Sequence, residues 1–324
     1  MNTPHSAYRA PLWLPGGNLQ TLYPALLARR PAVSYRRERW DTPDGDFIDL
    51  DWTIAPVAAD APLLVLFHGL EGSSRSHYAR ALMRAVVQCG WLGVVVHFRG
   101  CSGEVNRLPR AYHSGDSAEI DWILRRLQVL HPERRRYAAG VSLGGNALLK
   151  WLGEQRAAAA TVVRAAAAIS APVDLHAAGT ALEQGFNRVY TRNFLATMKR
   201  KSLAKLQMHP GLFDGNRVRA ASTLREFDNL VTAPLHGFRD VDDYWTRASS
   251  KPQLLYIAVP TLLLNARNDP FLPAIALPGA REVSATVTTA FPDEGGHVGF
   301  ITGMFPGNGN WLTQTLLGFM AQEN

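Results

Sequence analysis

A serine, an aspartate and a histidine, far apart along the chain, have the types, order and surroundings for nucleophilic acyl chemistry. Ser142 lies in Gly140-Val141-Ser142-Leu143-Gly144. The apolar run Tyr137–Val141 before it reads as a strand, and Leu143–Leu152 after it reads as a helix. A strand–serine–helix corner is tight enough to demand small residues on both sides, here Gly140 and Gly144. The strand end exposes the hydroxyl, and the helix start offers unpaired N–H groups to an anion.

A serine hydroxyl is a weak nucleophile until a neutral imidazole takes its proton, and a carboxylate must orient that imidazole. Asn265-Ala266-Arg267-Asn268-Asp269-Pro270 follows the apolar run Thr261–Asn265, and Gly295-Gly296-His297 follows Ala285–Phe291. Asp269 and His297 thus fall where the carboxyl ends of parallel strands would present them. Taken singly, each has a plain reading: a glycine-bracketed turn, a turn residue before Pro270, a loop histidine. Their order on matching elements favours joint action. Asp293 is a rival acid, but Pro292-Asp293-Glu294-Gly295 reads as a turn. After Leu63–Phe67, His68-Gly69-Leu70 is expected to aim the Leu70 N–H at the site, which with the Leu143 N–H forms an oxyanion hole. His68 itself reads as a hydrogen-bonded loop residue, with Gly69 beside it.

Other candidates carry less. Ser102 in Arg99-Gly100-Cys101-Ser102-Gly103 lacks the strand-to-helix corner, and Cys101 reads as a small packed residue. His77, His97, His113, His176 and His236 show no metal-ligand spacing, so no metal or cofactor is expected. Asp228, Asp240, Asp242 and Asp243 read as solvated or capping carboxylates.

These residues need a frame. Strand-like runs at 33–40, 47–54, 63–67, 91–98, 137–141, 165–170, 261–265 and 285–291 predict eight strands, the first two a hairpin across Thr42-Pro43-Asp44-Gly45. Helical patterns between them imply an α/β fold, a mostly parallel eight-stranded sheet with helices on both faces. From about Val173 to Ser250 the chain turns helical and aromatic-rich. It is read as a helical cap, 173–250, inserted in a core made of 1–172 and 251–324.

At 324 residues and 47% hydrophobic content the chain can bury a large core. Two cysteines without a C-x-x-C pair fit a reducing compartment, and no signal peptide or transmembrane segment is evident, so a cytoplasmic protein is expected. The net charge of +7 fits a solvated basic surface, with peripheral contact to anionic lipid as the alternative. No zinc-finger spacing or RNA-binding aromatic signature is present, which argues against nucleic acid.

His68–Ser73 (HGLEGS), His97–Asp116 (HFRGCSGEVNRLPRAYHSGD), Gly140–Asn146 (GVSLGGN), Arg225–Leu230 (REFDNL), Asn268–Phe271 (NDPF) and Gly295–Phe300 (GGHVGF) resemble the YheT-like branch of the α/β-hydrolase superfamily. The resemblance spans residues 10 to 320, and the long Arg-Gly-Cys-Ser-Gly run is its most specific part. It implies an α/β-hydrolase fold, with Ser142, Asp269 and His297 as the charge-relay residues. Relatives in the branch include bacterial hydrolases, fungal enzymes that make or cleave medium-chain fatty-acid ethyl esters, and animal lipid hydrolases. The implied function is a serine esterase acting on small, lipid-like carboxylic esters without a cofactor. Acyl transfer to an alcohol through the same acyl-enzyme and a non-catalytic ligand-binding role are the alternatives. In Gly17-Asn18-Leu19-Gln20-Thr21 the chain departs from the branch, which often has histidine at the place of Asn18. Sequence alone assigns that arm no role.

Overall fold

In the computed structural model, residues 8–322 are described. Eight strands form one sheet in the order β1-β2-β4-β3-β5-β6-β7-β8. They are β1 (Tyr35–Asp41), β2 (Phe47–Thr53), β3 (Leu63–Phe67), β4 (Leu92–His97), β5 (Arg136–Val141), β6 (Ala165–Ile169), β7 (Thr261–Leu264) and β8 (Val287–Ala290). β1 and β2 pair antiparallel, as does β2 with β4, and all later pairings are parallel. The expected mostly parallel sheet is therefore present, with its antiparallel hairpin at one edge.

The strands follow from their side chains. β3 is wholly buried because Val65 and Phe67 face one core while Leu64 and Leu66 face the other, as a strand covered on both sides requires. β2 alternates instead. Ile48, Leu50 and Trp52 enter the core, while Asp49 and Asp51 point the opposite way. Arg39 and Arg37, directly opposite them on β1, hold both carboxylates in two-pronged contacts of 2.7–2.9 Å. β6, Ala-Ala-Ala-Ala-Ile, is fully buried, its small side chains letting elements on both faces come close.

Helices α1 (Gly17–Leu26), α2 (His77–Gln88), α3 (Ser117–Leu130) and α4 (Leu143–Gln155) precede β6, and α5 (Leu175–Leu182), α6 (Arg188–Met208), α7 (Gly215–Ala220), α8 (Leu224–Phe227), α9 (Ala233–Leu235) and α10 (Val241–Ala248) lie between β6 and β7. α11 (Asn310–Gln322) closes the described chain. Side-chain caps written into the sequence start several of the middle helices: Asp174 accepts from Ala177 N, Asp214 from Asn216 N, and Asp240 from Asp243 N, while Thr223 and Glu226 form a reciprocal box. These helices bury a cluster of their own, including Leu182, Leu195, Val218, Leu224 and Phe227, joined by Phe271 from the loop after β7. Helix α1 was not anticipated. Its buried residues are Gln20, Thr21 and Pro24, whereas Leu19 and Leu26 are exposed, so its hydropathy pattern runs opposite to that of an ordinary core-facing helix. Among the described residues no helix is long and apolar enough to cross a membrane.

Candidate active site

The serine corner is held open by two glycines packed against backbone. A Cβ on Gly140 would stand 2.4 Å from Gly144 O, and one on Gly144 would stand 2.5 Å from both Phe67 O and His68 O. Between them Ser142 adopts φ 52° and ψ −120°, a left-sided conformation costing about 1–3 kcal/mol for a residue with a Cβ. Its N–H donates to Ile169 O at 2.8 Å, anchoring the turn to β6. The hydroxyl thereby projects beyond the sheet edge, above the start of α4.

Two late loops reach the same place. His297, after β8, lies with Nε2 3.0 Å from Ser142 Oγ, while its Nδ1 lies 2.9 Å from Asp269 Oδ2 and 3.1 Å from Oδ1. Nδ1–H donating to the carboxyl leaves Nε2 to accept from the hydroxyl, so the geometry selects one tautomer. Asp269 also accepts from Phe271 N at 2.8 Å, and the Phe271 ring stacks on the imidazole at 4.0 Å. The rival Asp293 is elsewhere, 93% exposed and facing Arg267.

The β3 loop supplies the facing wall. A Cβ on Gly69 would lie 3.1 Å from Ser142 Cβ. Leu70 and Leu143 both line the cavity at the hydroxyl, and among the described residues neither backbone N–H has a protein acceptor. His68 is wholly buried: Nδ1–H donates to Gly69 O at 2.7 Å and Nε2 accepts from Phe98 N at 3.1 Å. Burial pushes its pKa down to about 3, so the ring is neutral and engaged with backbone. Glu71, with φ 57°, is clamped by Tyr112 and Lys201, each 2.8–2.9 Å away, which fixes the loop after Leu70. Cys101 sits beside Lys201 and is buried, which drives its thiol up to about 11 and leaves it unreactive.

Sequence reasoning missed the brace behind these loops. Gln20 Oε1 accepts from Asn268 Nδ2 at 2.9 Å and from Gly295 N at 2.8 Å, while Asn268 Oδ1 accepts from Gly296 N at 2.9 Å. Thr21 Oγ1 accepts from His297 N at 2.8 Å and donates to Gly17 O at 2.7 Å. Helix α1 therefore ties the Asp269 loop to the His297 loop. Ser170 adds a further tie, accepting from Val298 N at 3.0 Å. The available signal was the polar pair Gln20-Thr21 inside an apolar arm. Asn18 faces the other way and accepts from Tyr190 OH at 3.0 Å.

The Ser142 hydroxyl borders two spaces. One, about 100 Å³, lies under the middle helices and is lined by Leu175, Ala178, Leu182, Met198, Leu224 and Trp245. The other, about 390 Å³ and more open, runs past Leu22, Leu26, Arg30, Arg75 and Tyr190. Among the described residues no group of histidine, cysteine, aspartate or glutamate is arranged to hold a metal.

Asp228 corrects an expectation. Asp240, Asp242 and Asp243 do cap or pair at the surface, but Asp228 is buried and lines the apolar cavity. It accepts from Thr232 Oγ1 at 2.6 Å and Trp245 Nε1 at 2.9 Å, and burial pushes its pKa up to about 6. A carboxyl with a raised folded-state pKa contributes stability that is present below its unfolded value and lost as pH rises through the folded one. Asp228→Asn, which cannot ionise, is expected to gain roughly 2–3 kcal/mol over the parent between about pH 4 and pH 8. Urea denaturation at both pH values measures this, and a pH-independent difference would contradict it.

Comparisons with known proteins bear on the family and the fold. The sequence model described as "alpha/beta hydrolase fold" matches residues 62–304. The chain is 42% identical to "Putative esterase YheT" of Escherichia coli (strain K12), over 91% of this chain and 87% of that protein. It is 31% identical to "Phospholipase ABHD3" of Homo sapiens, over 97% of this chain and 78% of that one. Among solved structures, the Pyrococcus furiosus esterase Pf2001 superposes with a TM-score of 0.57 at 15% identity, covering 90% of this chain and 93% of that chain, a likeness of fold. A match running through the sheet, the serine corner and both late loops leaves one assignment: the chain belongs to the alpha/beta hydrolase fold family, in its YheT-like branch, and is a carboxylic ester hydrolase.

Proposed function

We propose that the chain cleaves lipid-like carboxylic esters of short to medium acyl length through a covalent acyl-enzyme on Ser142. The observation that carries this reading is the imidazole of His297, within hydrogen-bond distance of both Ser142 Oγ and Asp269. Ser142 Oγ attacks the ester carbonyl while His297 Nε2 takes its proton and Asp269 holds the ring. The tetrahedral oxyanion is stabilised by the Leu70 and Leu143 N–H groups, the loss of either costing about 3–4 kcal/mol. The alcohol leaves with the proton returned by His297. Water, deprotonated by the same nitrogen, then frees the acid.

The helical segment 173–250 acts as a cap in this reading, and the apolar cavity beneath it receives the acyl chain. The more open space takes the alcohol portion. The relatives named as an esterase and a phospholipase support ester cleavage on lipid-like substrates.

Ser142→Ala is expected to lower kcat about 10⁴-fold or more and to abolish labelling by a fluorophosphonate probe, and Asp269→Asn to lower kcat about 10³–10⁴-fold. Labelling of folded Ser142→Ala at the wild-type rate would remove Ser142 as the nucleophile. Across p-nitrophenyl esters from acetate to decanoate, kcat/KM should pass through a maximum at short-to-medium chains, because the acyl cavity is small. A flat profile contradicts the assignment of that cavity. Thr21 is a positioning residue, so Thr21→Val should reduce kcat about tenfold with KM unchanged, and Thr21→Ser should restore it. Equal kcat in both variants would reduce the brace to a structural contact.

A further inference from the structure

Helix α1 presents a face that nothing in the described chain covers. Gln20, Thr21 and Pro24 point inward, leaving Leu19, Leu26 and the following Leu27 exposed. Tyr23 packs edge-on against Trp13, and Phe305 rests on the same pair with centroids 5.4 Å and 6.5 Å away. Across the mouth, Tyr190 hydrogen-bonds Asn18 and carries the exposed Phe186 ring at 5.8 Å, with exposed Val189 beside it. Leu22 and Leu26 of α1, with Tyr190, line one side of the open space that reaches Ser142.

The segments that form this face are rich in cations. Residues 1–37 and 184–213 hold eleven of the 34 lysines and arginines and none of the 27 acidic residues, and 295–322 are also free of acid. Some of these cations turn inward: Lys201 pairs with Glu71, and Arg37 with Asp51. Arg29, Arg30, Arg188 and Arg192 are exposed. No carboxylate among the described residues pairs with any of these four. Exposed apolar side chains in the same segments as arginines without a carboxylate partner match a surface with an anionic headgroup layer over an acyl interior. A water-facing helix would show the reverse pattern, polar outside and apolar inside.

We propose that this face, formed by α1, the Met304–Phe305 loop and the start of α6, docks on an anionic lipid surface and brings the mouth of the Ser142 site against it. Leu27 and Phe305 enter the acyl boundary, and the arginines meet the headgroups. A lipid-like ester then passes from the surface to the hydroxyl along the α1 side without crossing water. This extends the lipid-ester reading of the site and is measured apart from it, because vesicle binding needs no turnover.

The experiment is co-sedimentation of the full chain with vesicles of phosphatidylcholine alone or of equal parts phosphatidylcholine and phosphatidylglycerol. Binding should be about tenfold tighter to the mixed vesicles and weaken as salt rises. The double variant Leu27→Glu/Phe305→Glu, at residues 75% and 73% exposed, should lose about tenfold or more of that binding. Its hydrolysis of dissolved p-nitrophenyl butyrate should stay within about twofold of the parent. Ser142→Ala should bind vesicles like the parent, so a failure of the catalytic reading remains distinct from a failure of docking. Equal binding by parent and double variant, or no preference for the anionic vesicles, overturns the proposal. So does a dimer in sedimentation that the double variant dissociates while vesicles stay unbound, since the face would then belong to a second copy.

Discussion

The imidazole of His297 must meet a hydroxyl on one side and a carboxyl on the other, within about 3 Å of each, and neither partner lies near it in the chain. A parallel sheet satisfies that demand because its strands all end at one edge. The corner after β5 and the loops after β7 and β8 leave that edge together. What the sheet cannot provide is precision, since loops are the most mobile part of such a fold. Here the last ångström comes from α1, where Gln20 and Thr21 take hydrogen bonds from both late loops, and from Phe271, stacked on the ring.

That arrangement explains an inversion in α1 that would otherwise be costly. Burying Gln20 and Thr21 requires every polar atom to find a partner: their oxygens accept from Gly295 N and His297 N, and their donors go to Leu14 O, Glu294 and Gly17 O. With the polar side of the helix spent inward, its leucines are left outward at the mouth of the site. One helix thus both braces the two late loops and leaves apolar side chains exposed.

Charge is distributed with similar economy. Acidic groups cluster where they hold structure: Asp49 and Asp51 against the β1 arginines, Glu71 against Lys201, Asp228 against Trp245. Residues 8–37 and 184–213, which carry α1 and the start of α6, hold none. Buried ion pairs such as Arg39–Asp49 locate segments relative to one another and contribute little net free energy.

The strands and the chemistry-bearing residues were legible in the sequence because their signals are local. The short β-rich apolar run Leu63–Phe67 between turn residues reads as a buried strand, and Gly140 and Gly144 are needed by the turn that lies between them. Ser142, Asp269 and His297 could be singled out from their neighbours within a few positions. Their meeting could not be, nor could the burial of Asp228 or the role of α1. Gln20 and Gly295 are 275 residues apart, and a hydrogen bond across that separation leaves no pattern in either segment. The sequence by itself determined the strands of the sheet and which groups are available to react. Tertiary structure decided which polar atoms are spent on one another, because that depends on desolvation and distance in the folded chain.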